Sequence, residues 1–165
     1  MKGSYRAGFT LLHMTLLLAV MTLLACIAIP GWFSRSDITL DNAVQLLVRD
    51  MSDAQDRAAF QHRTLQLQFD ADGDGYTITD ARGRSIAAPV GTGPFTRRYS
   101  TDAVFRGVSV KALELGPENA LHFGPRGMTL NGGRLVLAFQ GEERVIQVQP
   151  NSGNVRVDGE PYRAR

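Results

Sequence analysis

A long stretch without charge near the N-terminus constrains this chain more than any other feature. It runs from Phe9 to Ile29, 21 residues that include no Asp, Glu, Lys or Arg. As a helix it would span about 31 Å, because each residue adds ~1.5 Å, and the hydrocarbon core of a bilayer is about 30 Å thick. Lys2 and Arg6 precede it, and such basic residues tend to stay cytoplasmic. We therefore expect residues 9–30 to form a transmembrane helix, with the rest of the chain beyond the membrane.

Two interpretations of this N-terminal segment compete. A cleaved signal peptide would place its cleavage site after the apolar stretch, at an Ala-x-Ala pattern. The stretch instead ends in Ile29-Pro30-Gly31-Trp32, which lacks that pattern. Small residues stand before it, at Ala7-Gly8, and Phe9 follows them. The sequence therefore predicts that the apolar stretch is retained.

The block Gly8-Phe9-Thr10-Leu11-Leu12 after a short basic leader resembles the N-terminal motif of type IV prepilins. In that family a prepilin peptidase cuts after the Gly and methylates the new N-terminus. The resemblance implies that residues 1–8 are a leader peptide and that cleavage and N-methylation occur at Gly8 and Phe9. It also implies a single-pass protein of the inner membrane, which an assembly platform builds into a filament with other pilins or pseudopilins.

The resemblance assigns filament contacts to two further residues. Pro30 matches a helix-kinking proline common in the family. The family usually has Glu where this chain has His13, and that Glu is thought to pair with the methylated amine of a neighbouring subunit. A charge in low dielectric needs such a partner, whereas a neutral imidazole can only accept a hydrogen bond from the amine. Three explanations stay open: drift in a low-copy subunit, a position at the filament tip, and a specialised interaction of His13.

Residues 31–63 are predicted to be an amphipathic extension of the helix, ending near His62. Ser36 or Asp37 can cap its start. Apolar residues recur at spacings of three and four, as on one face of a helix: Leu40, Ala43, Val44, Leu47, Val48, Met51, Ala54, Ala58 and Ala59. We assign the charged residues, among them Asp50, to the opposite face.

From residue 64 to residue 165 the pattern changes to short alternating stretches separated by turns, which indicates strands. We predict six to eight of them, including 65–69, 76–79, 108–110, 120–123, 135–139, 145–148 and 155–157, with a further stretch at 104–105 before a break at Gly107. Residues 82–102 are interpreted as a loop and residues 141–144 as a hairpin turn. The expected fold is α+β, with the long helix packed on one antiparallel sheet in a periplasmic domain.

Two C-terminal patterns resemble the GspH/FimT family of pilin-like proteins. They are the turn Phe123-Gly124-Pro125-Arg126-Gly127 and the closing segment Ser152-Gly153-Asn154-Val155-Arg156-Val157. The resemblance implies a minor pseudopilin of a type II secretion pseudopilus. The alternative is a FimT-like minor type IV pilin that serves pilus assembly, adhesion or DNA uptake. A third hypothesis is a bitopic membrane protein that never polymerises.

A cofactor is not expected, although one turn contains the start of a calcium-binding pattern. Asp70, Asp72 and Asp74 with Gly75 match the opening of an EF-hand loop. The twelfth position is Ala81, however, so the closing bidentate acid is missing. Calcium is therefore a weak prediction, and the alternative is a solvated hairpin turn.

Catalysis and nucleic-acid binding are both disfavoured by the sequence. It contains no G-x-S-x-G, H-E-x-x-H or Walker pattern, and no nucleophile with a base can be recognised. Eighteen basic and sixteen acidic residues give a formal charge of only +2, so nucleic acid is not the expected partner. Arg163 and Arg165 beside Tyr162 are the candidate DNA contacts, because arginines bind phosphate and an aromatic ring can stack on a base.

Overall fold

The protein is represented by a computed structural model that describes residues 11–116 and 118–161, and the side chains outside 25–37 and 160–161. The chain divides into two compact units, residues 1–35 and 36–165. Helix α1 comprises Leu11–Phe60. Within the described residues, none of the helices combines the length and the apolar character that a membrane crossing requires.

Helix α1 does not begin at Ser36 or Asp37, so the predicted cap is wrong. Both residues lie inside the helix, where backbone N–H groups bond to carbonyls four residues earlier and need no cap. The helix ends at Phe60. His62 follows with φ 51°, and Arg63 N–H donates to the Ala58 carbonyl at 3.2 Å. This is a Schellman-type end in which histidine takes the left-handed position that glycine usually fills.

The predicted apolar face of α1 is the buried face of residues 38–60. Its fully buried members are Leu40, Ala43, Val44, Leu47, Met51, Ala54 and Ala58, and Val48 packs against them at the edge. Spacings of three and four keep these side chains on one side of the helix. The prediction that this part of α1 packs on a β-rich domain is therefore confirmed.

In the described part of the chain nine strands follow α1, and all pairings between them are antiparallel. The strands are β1 (Leu65–Phe69), β2 (Gly75–Asp80), β3 (Thr96–Arg98), β4 (Ser109–Glu114), β5 (Ala120–Phe123), β6 (Gly133–Phe139), β7 (Glu142–Val148), β8 (Val155–Val157) and β9 (Glu160–Pro161). They form two sheets, with orders β3-β2-β1-β5 and β4-β6-β7-β8-β9. The α+β class with antiparallel strands is confirmed, whereas the expectation of a single sheet is wrong.

Three local predictions also need correction. The predicted loop 82–102 contains β3 and a short 3-10 helix, Tyr99–Thr101. Residues 104–105 form turns, and the strand predicted at 108–110 begins at Ser109 and extends to Glu114. The β6–β7 hairpin turns at Gln140 and Gly141, whose φ values are 50° and 90°, as a two-residue primed turn requires. The predicted turn residues 142–144 therefore belong to β7.

Candidate functional site

The first candidate surface is the N-terminal part of α1, residues 11–24, where large apolar side chains are exposed. The Thr15 hydroxyl donates to the Leu12 carbonyl at 3.0 Å, and the Thr22 hydroxyl donates to the Leu18 carbonyl at 2.8 Å. These bonds satisfy the two threonine hydroxyls within the helix. Since soluble proteins rarely expose contiguous apolar surface, the stretch is suited to an apolar environment or an apolar partner.

The second feature is a polar group centred on a buried carboxylate, here named the anchor cluster: the buried Asp50 and Tyr76 and the half-buried Arg97. Asp50 is 1% exposed. Its Oδ2 accepts hydrogen bonds from the Tyr76 hydroxyl and from Arg97 Nε, both at 2.8 Å. Arg97 Nη2 donates to Asp50 Oδ1 at 3.4 Å. The cluster therefore ties α1 to β2 and β3 by charge-assisted bonds in the domain interior.

Electrostatics within the anchor cluster follow from its burial. Burial, and next the Asp50 carboxylate, raise the pKa of Tyr76 well above its usual range, so this phenol remains a donor. The hydrogen bond to Asp50 is the main cause that raises the pKa of Arg97. The assignment of Asp50 to the solvent-facing side of the helix is therefore wrong. Position 50 lies three residues after Leu47 and four before Ala54, on the buried stripe.

Aromatic rings surround the anchor cluster in a chain of edge-to-face contacts. Ring centroids are separated by 5.8 Å for Phe69–Tyr76, 6.3 Å for Tyr76–Tyr99 and 6.4 Å for Tyr99–Phe105. Arg97 also lies over the ring of Phe95, with its Cζ 5.7 Å from the centroid. Each aromatic pair stabilises a fold by about 0.5–1.5 kcal/mol beyond the burial of its rings. These contacts therefore help to hold the anchor cluster in place.

The third feature is the acidic turn between β1 and β2, where Arg98 bridges two of the three predicted calcium ligands. Its Nη2 lies 2.8 Å from Asp72 Oδ2, and its Nε lies 3.1 Å from Asp74 Oδ2. Hydrogen bonding from Ser100 is the main cause that lowers the pKa of Asp74. Burial, and next Asp72, raise the pKa of Asp70. The guanidinium thus supplies positive charge at the two carboxylates where a cation was predicted.

Metal binding has no assembled ligand set in the described part of the chain. No group of three or more His, Cys, Asp and Glu side chains in that part is arranged to hold a metal ion. His62 follows the end of α1, and His122 lies in β5 with Nε2 3.3 Å from Glu118 Oε2. His62 and His122 therefore occupy separate elements, one at a helix end and one in a strand.

The other predicted site residues fall into two groups. His13 and Pro30 lie in α1, and His13 is exposed. Gly8 and Phe9, the predicted cleavage site, lie outside the described residues. The candidate DNA contacts Arg163 and Arg165 lie outside them as well.

The part of the chain that contains the anchor cluster and strands β1 to β7 identifies the family. A model of the family described as type II transport protein GspH matches residues 43–153. The chain belongs to the GspH family. Members of this family are structural subunits of pseudopili and pili, not enzymes, and they assemble with other pilin-like subunits. The predicted family and the absence of catalysis are thus confirmed.

Two solved structures of one minor pseudopilin share the fold of this GspH family member. Two structures of the minor pseudopilin EpsH from the type II secretion system of Vibrio cholerae align with TM-scores of 0.52 and 0.51 at 12% and 13% identity. They cover 79% and 72% of this chain, and 99% and 94% of EpsH. The type IV minor pilin FimU of Pseudomonas aeruginosa aligns at 23% identity and a TM-score of 0.49, over 72% of this chain and 87% of FimU.

Among curated proteins, no sequence matches the chain significantly.

Proposed function

We propose that this chain is a minor pseudopilin, a structural subunit of a type II secretion pseudopilus. The family match over residues 43–153 carries the proposal, and the prepilin-like block at Gly8-Phe9 supports it independently. The chain is trimmed between these two residues by a prepilin peptidase, and the new N-terminus is methylated. An assembly platform in the inner membrane then builds the mature subunit into the filament.

We assign one role to each consecutive segment of the chain. Residues 1–8 are the leader, residues 9–30 span the inner membrane and later form the filament core, and residues 31–63 extend the helix. Residues 64–165 form the periplasmic domain. The exposed apolar side chains of residues 11–24 support a core role, because in a filament they can pack against the same stretch of neighbouring subunits.

The anchor cluster has a mechanical role in this proposal. A filament pulls on its subunits through the helix, so α1 must stay attached to the periplasmic domain. Asp50 on α1 binds Tyr76 on β2 and Arg97 on β3 inside the core, which is an attachment that does not depend on apolar packing alone. We infer that His13 and Pro30 act earlier along the helix, at contacts between subunits.

The proposal assigns no cofactor to the subunit and no primary role to nucleic acid. Arg98 already bridges Asp72 and Asp74, which supports a structural turn over a calcium site at Asp70, Asp72 and Asp74. The tail residues Arg163 and Arg165 remain the candidates for DNA contact if the chain is a FimT-like minor pilin.

A gene deletion in the native host tests the proposed function. We expect the deletion to reduce export of type II secretion substrates while pilus-dependent motility and DNA uptake stay at wild-type levels. A plasmid copy of the gene should restore export, and a copy with Gly8→Val, which blocks prepilin cleavage, should not. Normal export with loss of pili would contradict the pseudopilin assignment and favour the minor pilin.

A further inference from the structure

The first turn after β5 is held against the end of α1. Gly124 N–H donates to the Met128 carbonyl at 2.8 Å, and Gly127 N–H donates to the Gly124 carbonyl at 2.9 Å. Gln55 Nε2 on α1 donates to the Gly127 carbonyl. Gly127 has a φ of 75°, and a Cβ at that position would lie 3.2 Å from the Ala59 Cβ. The turn therefore lies directly on the helix, and its backbone is fixed before any partner binds.

Large apolar side chains are exposed around this turn. Met128 is 44% exposed and Leu130 is 52% exposed. Phe60, which ends α1 and follows Ala59, is 86% exposed. Arg126 stands in the same turn and is exposed as well. Aromatic residues, methionine and arginine are enriched in protein interfaces relative to the rest of the surface. We name Phe60, Arg126, Met128 and Leu130 the turn surface.

The charge of the turn surface favours an acidic partner. Residues 54–64 and 123–131, the two segments that meet there, contain three arginines and one aspartate, a formal charge of +2 with histidine neutral. The whole chain also has a formal charge of +2, so its other residues sum to zero. Among the described residues Arg126 has no ion-pair partner, whereas Arg97 and Arg98 each bind a carboxylate. A guanidinium can bind a carboxylate through two parallel hydrogen bonds.

We propose that the turn surface binds an adjacent pilin-like subunit of the filament, with a carboxylate that pairs with Arg126 and apolar side chains that cover Phe60 and Met128. The neighbour supplies the negative charge that the two segments lack. Because the backbone of the turn is already fixed, binding costs little conformational entropy. The inference rests on the proposed function, since the filament supplies the neighbour.

The test compares two exposed arginines. Arg126→Glu reverses the charge at the centre of the turn surface. Arg106→Glu is the matched control, because Arg106 also precedes a glycine with positive φ and also has no ion-pair partner among the described residues. We expect both variants of the full chain to unfold at the wild-type temperature. Only Arg126→Glu should lower filament incorporation, about tenfold, as for the loss of one charge-assisted contact.

A cross-linking measurement identifies the neighbour. Met128 is replaced by a photoreactive amino acid in the full chain, and linked peptides from filaments are sequenced. We expect a peptide of another pilin-like subunit that contains an aspartate or glutamate. Changing that acid to arginine should restore the incorporation of Arg126→Glu and lower that of the wild type. A link only to residues of this chain, no link, or no rescue overturns the proposal even if Arg126→Glu proves unstable.

Equal incorporation of Arg126→Glu and wild type also overturns the inference, as does an equal loss for both arginine variants. If the wild-type chain never enters filaments, the proposed function itself fails and the inference falls with it. That outcome is distinct from the others, because they all require wild-type incorporation.

Discussion

Two adjacent arginines of β3 make the same chemical contact in opposite surroundings. Arg97 binds Asp50, which is almost fully buried. Arg98, one residue later, binds Asp72 and Asp74 of the exposed turn. Successive side chains of a strand point to opposite faces, so β3 directs Arg97 toward the buried carboxylate of Asp50 and Arg98 toward the acidic turn. The two guanidinium groups are similarly exposed, so burial of the partner carboxylate determines what each ion pair contributes to stability.

Removal of the buried partner has the largest expected effect. Asp50→Ala leaves Arg97 without its carboxylate and the Tyr76 hydroxyl without its acceptor. We expect a loss of about 3 kcal/mol in the free energy of unfolding, at the lower end for a broken buried pair, because Arg97 can still reach water. Urea unfolding of the full chain measures it. Asp53→Ala, at a half-exposed position on the same helix, is the control and should cost well under half as much.

An intermediate case is Asp80, whose carboxylate receives four hydrogen bonds, three from Arg84 and one from the Arg82 N–H. The hydrogen bond from the Arg84 backbone N–H is the main cause that lowers the pKa of Asp80 to about 2, and the bonds from the Arg84 side chain come next. An Asp in an unfolded chain has a pKa of about 3.9. The lowered pKa therefore stabilises the fold above about pH 4, and this stabilisation is lost as the pH falls through about 2.

Asp80→Asn, which does not titrate, should remove that acid dependence. We expect the stability difference between wild type and variant to be greatest above about pH 4 and to shrink toward pH 2. Melting temperatures of the full chain across this range measure the difference. A constant gap between the two curves would mean that Asp80 does not titrate in this window.

Removal of the exposed arginine has a small expected effect. Arg98→Ala breaks both contacts in the acidic turn, but surface ion pairs contribute only about 0–1 kcal/mol. We expect the free energy of unfolding to fall by less than 1 kcal/mol, and the fall should shrink further in high salt. A loss as large as that of Asp50→Ala would contradict the view that burial of the carboxylate distinguishes the two ion pairs.

Calcium should have the smallest effect of all. Because Arg98 already bridges Asp72 and Asp74 and offsets part of their charge, millimolar calcium should release no heat in a calorimetric titration of the full chain. The control is the same titration of Asp72→Ala. Heat that is present in the wild type and absent in the control would restore the calcium site predicted from the sequence.

The sequence was sufficient to predict those elements whose pattern lies within one short segment. The period of three and four predicted the buried face of α1, and strict alternation predicted β1. The same spacing could have placed Asp50 on the buried stripe, but its charge argued for the surface. Its partner Arg97 is 47 positions away, and only the fold brings the two together.

Elements at sheet edges were harder to predict. Strand β3 has the sequence Thr-Arg-Arg, and β4 ends in Lys111-Ala112-Leu113-Glu114, so neither shows a buried alternate face. Edge strands leave one side unpaired and tolerate polar residues there. The division into two sheets depends on pairings between distant segments, such as that of β1 with β5, which no local pattern encodes.

The intact mass of the mature protein tests the central claim most directly. The account predicts a chain that begins at Phe9, has lost residues 1–8 and has gained one methyl group, when it is purified from host membranes with an active prepilin peptidase. A chain that begins near Trp32, or one that still starts at Met1 under those conditions, would contradict the claim that this protein is a processed pilin-like subunit.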